Sequence, residues 1–236
     1  MTIVRQRMAD GSYELTLINT MRLDPGGLAE LTNLGVVKHV VRLGTFHGVD
    51  DAFYVDYYDA TYWTVENMDH TPGLRVQPEV LSGDHLPLSD AQLFCFSDIR
   101  FPEAIIVLPK TPERAGIAIT TDAIQNHESV FDVDNSLLVS LGIWRIGLLG
   151  PARLGPIWMR EQAADPSASL SLSNAEKKRN MVRLLKPQFE RLLSDFEFDM
   201  LIAGHGQPLT QGAKEAVRNS VNAQLGLPVL PTSLGG

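Results

Sequence analysis

Short apolar runs, each closed by a glycine, a proline or a charged residue, recur along this chain of 236 residues and limit what it can fold into. Three of them end on His or Asp. "VVKHVVRL" (36–43) leads into "GTFHGVDD", "GIAITT" (116–121) leads into Asp122, and "DMLIAG" (199–204) leads into His205. Runs of this length, rich in β-branched residues, read as strands, and those without alternation as strands buried on both faces.

More strand candidates flank these three: "YELTLINTMRL" (13–23), "ATYWTV" (60–65), "AQLFCFS" (91–97) and "EAIIVLP" (103–109). Helical signals lie between and after them. "DPGGLAELTNLG" (24–35) opens on Asp24 and Pro25 and closes on Gly35, the cap chemistry of a short helix. "NAEKKRNMVRLLKPQFERLLSDF" (174–196) lines up Met181, Val182, Leu184, Leu185, Phe189, Leu192 and Leu193, with Pro187 expected to kink or divide the helix. "TQGAKEAVRNSVNAQLG" (210–226) closes the pattern, and 227–236 reads as a loose tail. Residues 137–159 are apolar but interrupted by Arg145, Pro151, Arg153 and Pro156, which argues against a membrane span and for a buried or substrate-covering helical segment. Strand–helix alternation at both ends of a β-rich middle points to an α+β domain over 1–236, two sheets between helices.

Composition excludes some partners. The formal net charge is −8 and Lys and Arg never cluster, so neither a nucleic acid nor an anionic membrane finds a basic face. Cys95 is the only cysteine and no apolar leader opens the chain, so the cytoplasm is the expected compartment. The serine-hydrolase elbow, His-Glu-x-x-His, and phosphate- and dinucleotide-binding glycine motifs are all missing.

What remains are three polar islands at strand ends: His47 with Asp50 and Asp51, Asp122 with His127 five residues on, and His205 between two glycines. A strand end holds a side chain accurately while leaving it accessible, and imidazole with carboxylate suits a divalent cation. Taken singly, each has a plainer explanation. Asp50, Asp51 and Asp122 fit helix or turn caps, His205 a turn, His39 a satisfied core position, and His70 and His85 the surface. Their joint order outweighs these readings.

In that order the islands resemble the metallo-β-lactamase superfamily over nearly the whole chain. "LINTMRL…LAELTNLGVVKHVVRLGTFHGVDD" looks like its opening strand, helix, strand and metal loop. "FPEAIIVLP…AGIAITTDAIQNH" looks like the segment carrying its bridging Asp, and "FDMLIAGHGQPL" like its C-terminal metal His. The resemblance implies a four-layer αββα sandwich and a metal-dependent hydrolase of a small ester, lactone, thioester or related substrate. It implies His47, Asp51, Asp122 and His205 as metal ligands, with Asp50 or Asp51 positioning water. Arg100, His127 and Trp144 would then face the substrate, the last as part of an apolar wall with Trp158 and Met159.

The departures shape the chemistry. Laid on the superfamily's Thr-His-x-His-x-Asp-His loop, "TFHGVDD" puts Thr45 at the first His and His47 at the second. "SDIRFPEA" puts Arg100 at or near a third His, and "LINTM" puts Asn19 where an Asp is usual. A guanidinium stays protonated and cannot ligate, so Arg100 would stand in for a cation by pairing with Asp122 or Asp51. One metal or none is therefore expected. Zinc is favoured by the resemblance, and manganese or iron suits the same donors. A metal-free, non-catalytic descendant that binds a ligand or protein is the alternative, and residues 137–159 offer a surface for a homodimer.

Overall fold

The computed structural model describes residues 1–69, 71–127, 147–162 and 173–226. Five strands form the first sheet in the order β1 (Thr2–Arg7), β2 (Tyr13–Ile18), β3 (Val36–Arg42), β4 (Thr61–Thr64) and β5 (Glu79–Val80). β1 and β2 are antiparallel, and the remaining neighbours are parallel. The second sheet has the order β11 (Met200–Ile202), β8 (Ile117–Ile119), β7 (Ala104–Leu108), β6 (Gln92–Cys95), with β11 parallel to β8. A separate antiparallel pair joins β9 (Ile124–His127) to β10 (Gly150–Leu154).

Alternation along the strands sorts the apolar side chains into three clusters. Leu15, Leu17 and Val40 pack on one face of the first sheet against Leu31 of α1 (Pro25–Leu34) and Tyr54 and Val55 of α2 (Asp51–Tyr58). From the other face, Ile18, Val41 and Trp63 meet Ala104, Ile106 and Ile119 of the second sheet. Ile105, Val107 and Ala118 point the opposite way, into Phe189 and Leu192 of α4 (Asn174–Asp195) and Val217 and Val221 of α5 (Ala213–Leu225). A period of two is what allows one strand to feed two separate cores.

The caps follow local chemistry. Asp24 accepts the Gly27 amide at 2.7 Å ahead of Pro25 at the start of α1, as its sequence suggests. Ser173 and Glu176 form a capping box on α4. Pro187 does not divide that helix, which is one element of 22 residues. The proline ring is exposed, and the buried row Leu185, Gln188, Phe189, Leu192 and Leu193 anchors the helix on both sides of the lost hydrogen bond.

Two further expectations change. Asp122 does not open a helix; β9 follows it. Within 137–159, the described residues form β10 and the beginning of α3 (Pro156–Gln162), not one helical segment, because Gly155 and Pro156 break the chain between them. Trp158 and Met159 lie in the core with Phe96 and Phe189, so they form no wall over a site. Trp144 falls outside the described residues. No described helix is long and apolar enough to cross a membrane.

The two sheets also touch through their backbones. The Ala104 amide donates to the Leu43 carbonyl at 2.8 Å and the Thr45 amide to the Pro102 carbonyl at 3.2 Å. The chain leaving β3 is thereby tied to the start of β7.

His39 has a partner, as its sequence position suggests, but lies half-buried on β3 and not in the core, its Nδ1 accepting the Trp63 indole N–H at 3.1 Å. Burial holds its pKa below the ordinary value. A depressed pKa means the unfolded chain takes the proton first, so this contribution is full above about pH 6.5 and is lost as pH falls through the folded value. Urea unfolding should therefore show a loss of stability below about pH 6.5 that His39→Gln reduces; an unchanged pH profile in that variant would contradict the assignment.

Candidate metal centre

His47, Asp122 and His205 come from three separate loops, and the fold brings them together. His47 leaves β3, Asp122 leaves β8, and His205 leaves β11, the strand beside β8. One ligand atom from each lies within 4.8 Å of the other two, the only such group of His, Cys, Asp or Glu among the described residues. Asp122 Oδ2 is 3.1 Å from His47 Nε2, and its Oδ1 is 3.2 Å from His205 Nε2. The imidazoles approach to 5.3 Å between centroids. His205 is the open side, with a side chain 44% exposed against 17% for His47 and 13% for Asp122.

Burial alone would raise the Asp122 pKa, but the His205 and His47 imidazoles on its two oxygens outweigh it, and the carboxyl is held well below its usual range. Oδ2 is buried and, despite its proximity to His47, has no aligned hydrogen bond. Two imidazole nitrogens and an ionised carboxylate converging within 3.1 to 3.2 Å are donors that suit a divalent cation. The residues fit a metal.

Each loop is held by neighbours that the sequence did not single out. The Arg42 guanidinium is buried and donates to the carbonyls of Gly44 (3.3 Å), Thr45 (2.5 Å) and Asp69 (3.0 Å) and to Thr71 Oγ1 (2.9 Å). Thr71 contacts Tyr62 Oη at 2.8 Å, and Tyr62 donates to Asp51 Oδ2 at 2.9 Å. Gly48 adopts φ +98°, and a Cβ there would lie 2.7 Å from both Arg42 Cδ and Asp51 Oδ2, so glycine is required. At the third loop, Asn126 clamps both sides of His205. Its amide nitrogen donates to the His205 carbonyl (3.0 Å), its carbonyl accepts Gln207 N–H (2.9 Å), and its side chain reaches the Gln207 carbonyl (2.6 Å). Gly206, at φ +87°, lies so close to the Asn126 carbonyl that no Cβ fits.

The other predicted site residues do not join the cluster. Asp51 is fully buried, and its oxygens accept Thr20 Oγ1 at 2.5 Å and Tyr62 Oη at 2.9 Å. Burial pushes its pKa up, opposed by those two hydroxyls. Asp50 precedes α2 without capping it, accepting instead the Arg22 amide (2.8 Å) and Nε (3.3 Å). His127 is buried on β9. Arg100 makes no ion pair with Asp122 or Asp51; it is exposed, its guanidinium 4.7 Å above the Phe101 ring. The loop into β7 turns Glu103 inward instead, and burial first, then the charge of Asp122, pushes its pKa up to about 8. Thr45 donates to the Pro102 carbonyl at 3.0 Å, and Asn19 accepts the Leu43 amide at 3.1 Å, both bracing the loop.

No protein-family model matches the sequence, and no curated protein does. Solved structures match the fold. A β-lactamase domain protein from Burkholderia ambifaria superposes with a TM-score of 0.55, over 92% of this chain and 67% of its own, at 10% identity. A B3 metallo-β-lactamase with an active-site glutamic acid gives 0.50, over 91% and 80%, at 12% identity. The chain has the metallo-β-lactamase fold. The flavodiiron protein from Giardia intestinalis shares it at a TM-score of 0.50 and 12% identity, over 89% of this chain and 49% of that protein.

On the metallo-β-lactamase fold, then, the His47 loop of this chain is stabilised by a buried polar network. Removing one hydroxyl from it should leave Asp51 and Thr71 short of a partner, and Tyr62→Phe is expected to lose about 1–3 kcal/mol. The Tyr58 hydroxyl is also buried but has no partner among the described residues, so Tyr58→Phe should be neutral or slightly stabilising. Equal urea midpoints for the two variants would contradict this account of the network.

Proposed function

We propose that this chain binds one divalent cation through His47, Asp122 and His205 and hydrolyses a small ester, lactone, thioester or related bond. The reading is supported by the count and exposure of the donors. Two imidazoles and one carboxylate leave a coordination position open, the arrangement of catalytic rather than structural zinc sites. The half-exposed His205 opens that position to solvent.

Asp50 and Asp51 are both engaged with protein donors, which supports one ion over two. Zinc is the first choice, and iron(II) or manganese suits the same donors. A cation bound there would supply Lewis acidity towards a carbonyl oxygen and acidify a water molecule.

The protein's own contribution is to hold the donors. Asp122 stays ionised across the physiological range, so its charge is ready for the cation without a proton to displace. Arg42 and Asn126 fix the two histidine loops, which limits the reorganisation needed on binding. Arg100, exposed at the neighbouring loop, is available to an anionic group of the substrate.

Metal analysis of protein purified without added metal, together with thermal melting in the presence and absence of chelator, tests this reading. About one equivalent is expected, with a midpoint lowered by chelation, because a ligand bound only by the folded state stabilises it. Asp122→Asn should reduce kcat/KM on a thioester and lactone panel at least about a hundredfold, the range for removing a group that acts on transition-state charge. Two equivalents would contradict the single site. No metal with an unchanged midpoint would favour the non-catalytic alternative.

A further inference from the structure

Glu103 carries a buried carboxyl group that belongs to two loops at once. Through its backbone it is part of the His47 loop's support: Gly44 and Glu103 form an antiparallel bridge, flanked by the Ala104–Leu43 and Thr45–Pro102 hydrogen bonds. Through its side chain it reaches the Asp122 loop, where Oε1 accepts the amide of Ala123 at 2.7 Å. Its exposure is 1%. Oε2 is buried beside Thr121 Oγ1, both crowding Gly44, where an added Cβ would lie 2.7 Å from the hydroxyl and 3.4 Å from the carboxylate oxygen.

Burying a carboxyl group costs several kcal/mol unless its oxygens are satisfied, so a residue of this type has no place in an apolar sheet junction for packing alone. Ala104, the next residue, and Ile106 already fill the inter-sheet core. What Glu103 adds is a polar link between the loop that carries His47 and the loop that carries Asp122.

We infer that Glu103 is a positioning residue, which sets Asp122 at its distance from His47 by holding the Ala123 amide. The inference rests on the metal reading of His47, Asp122 and His205 and names the residue that aligns two of those donors. It acts through the backbone of the ligand loop and touches neither substrate nor ion. Partners of this kind that orient a ligand are worth about 10–100-fold in metal affinity.

Two substitutions separate this role from simple packing. Glu103→Gln keeps an acceptor oxygen for Ala123 N–H; Glu103→Leu fills similar space without one. Cobalt(II) titration of both variants and the native protein is followed through the visible d–d spectrum, and hydrogen exchange is measured on the metal-free proteins over residues 120–124. Glu103→Leu is expected to weaken cobalt binding about tenfold or more, alter the spectrum and speed exchange over those residues. Glu103→Gln is expected to restore all three to near native. If Glu103→Leu does not fold, Glu103→Ser, too short to reach Ala123, takes its place with the same expectation.

Native-like affinity, spectrum and exchange in the acceptor-less variant would overturn the inference, as would equal losses in both variants. Native protein that takes up no cobalt would overturn the metal reading instead. In that case the exchange data alone decide whether Glu103 clamps the loop.

Discussion

The buried Arg42 guanidinium is the constraint on which the His47 loop depends. It lies at the end of β3 and donates to four oxygens, two of them carbonyls in the loop itself. From there a line of hydroxyls, Thr71 then Tyr62, runs to the Asp51 carboxylate, which Thr20 bonds from the other side. Arg42 and Asp51 thus compensate each other through two intervening hydroxyls rather than by direct contact. A buried charge left without such partners is costly, so the line is tolerated only when complete. Completing it fixes both ends of the loop between Gly44 and Asp51, with Gly48 pressed against both charged side chains. His47 stands in the middle of a segment that has little freedom to move.

The same logic explains why two carboxylates next to a candidate metal ligand take no part in the cluster. A loop with His47, Asp50 and Asp51 in five residues looks like a dense donor set, but each carboxylate has a structural partner. Asp50 is held by Arg22 at the start of α2, and Asp51 is the acceptor that orients the hydroxyls beneath the loop. The donors left for a cation come from three strands rather than from one loop. Those strands are β3 of the first sheet and the neighbouring β8 and β11 of the second, so the donors meet at strand ends from both sheets.

Much of the architecture was legible because burial on both faces leaves a signature. β7 and β8 are short unbroken apolar runs, and α1 announces itself through Asp24 and Pro25. The ordered islands brought His47, Asp122 and His205 to notice, and these three converge. The supporting residues were not legible. Arg42 and Tyr62 sit in strands whose sequence reads as β alone, and nothing local says that their polar ends turn inward and meet Thr71, which lies outside both strands. Asn126 follows Asp122, whose position at a strand end fits a cap as well as a ligand, and nothing local shows that it meets the His205 loop. β1 gives only a faint signal in the sequence because its alternation is half-buried and weakly apolar. In each case the missing information was long-range pairing, which one sequence does not display.

The central claim is that three donors, and not the neighbouring aspartates, make a single cation site. Anomalous diffraction from crystals of the zinc-loaded protein, collected on both sides of the zinc edge, locates every bound ion directly. The account predicts one peak, in contact with His47, Asp122 and His205. A second peak at Asp50 or Asp51, or zinc bound elsewhere with none at the three donors, would contradict it.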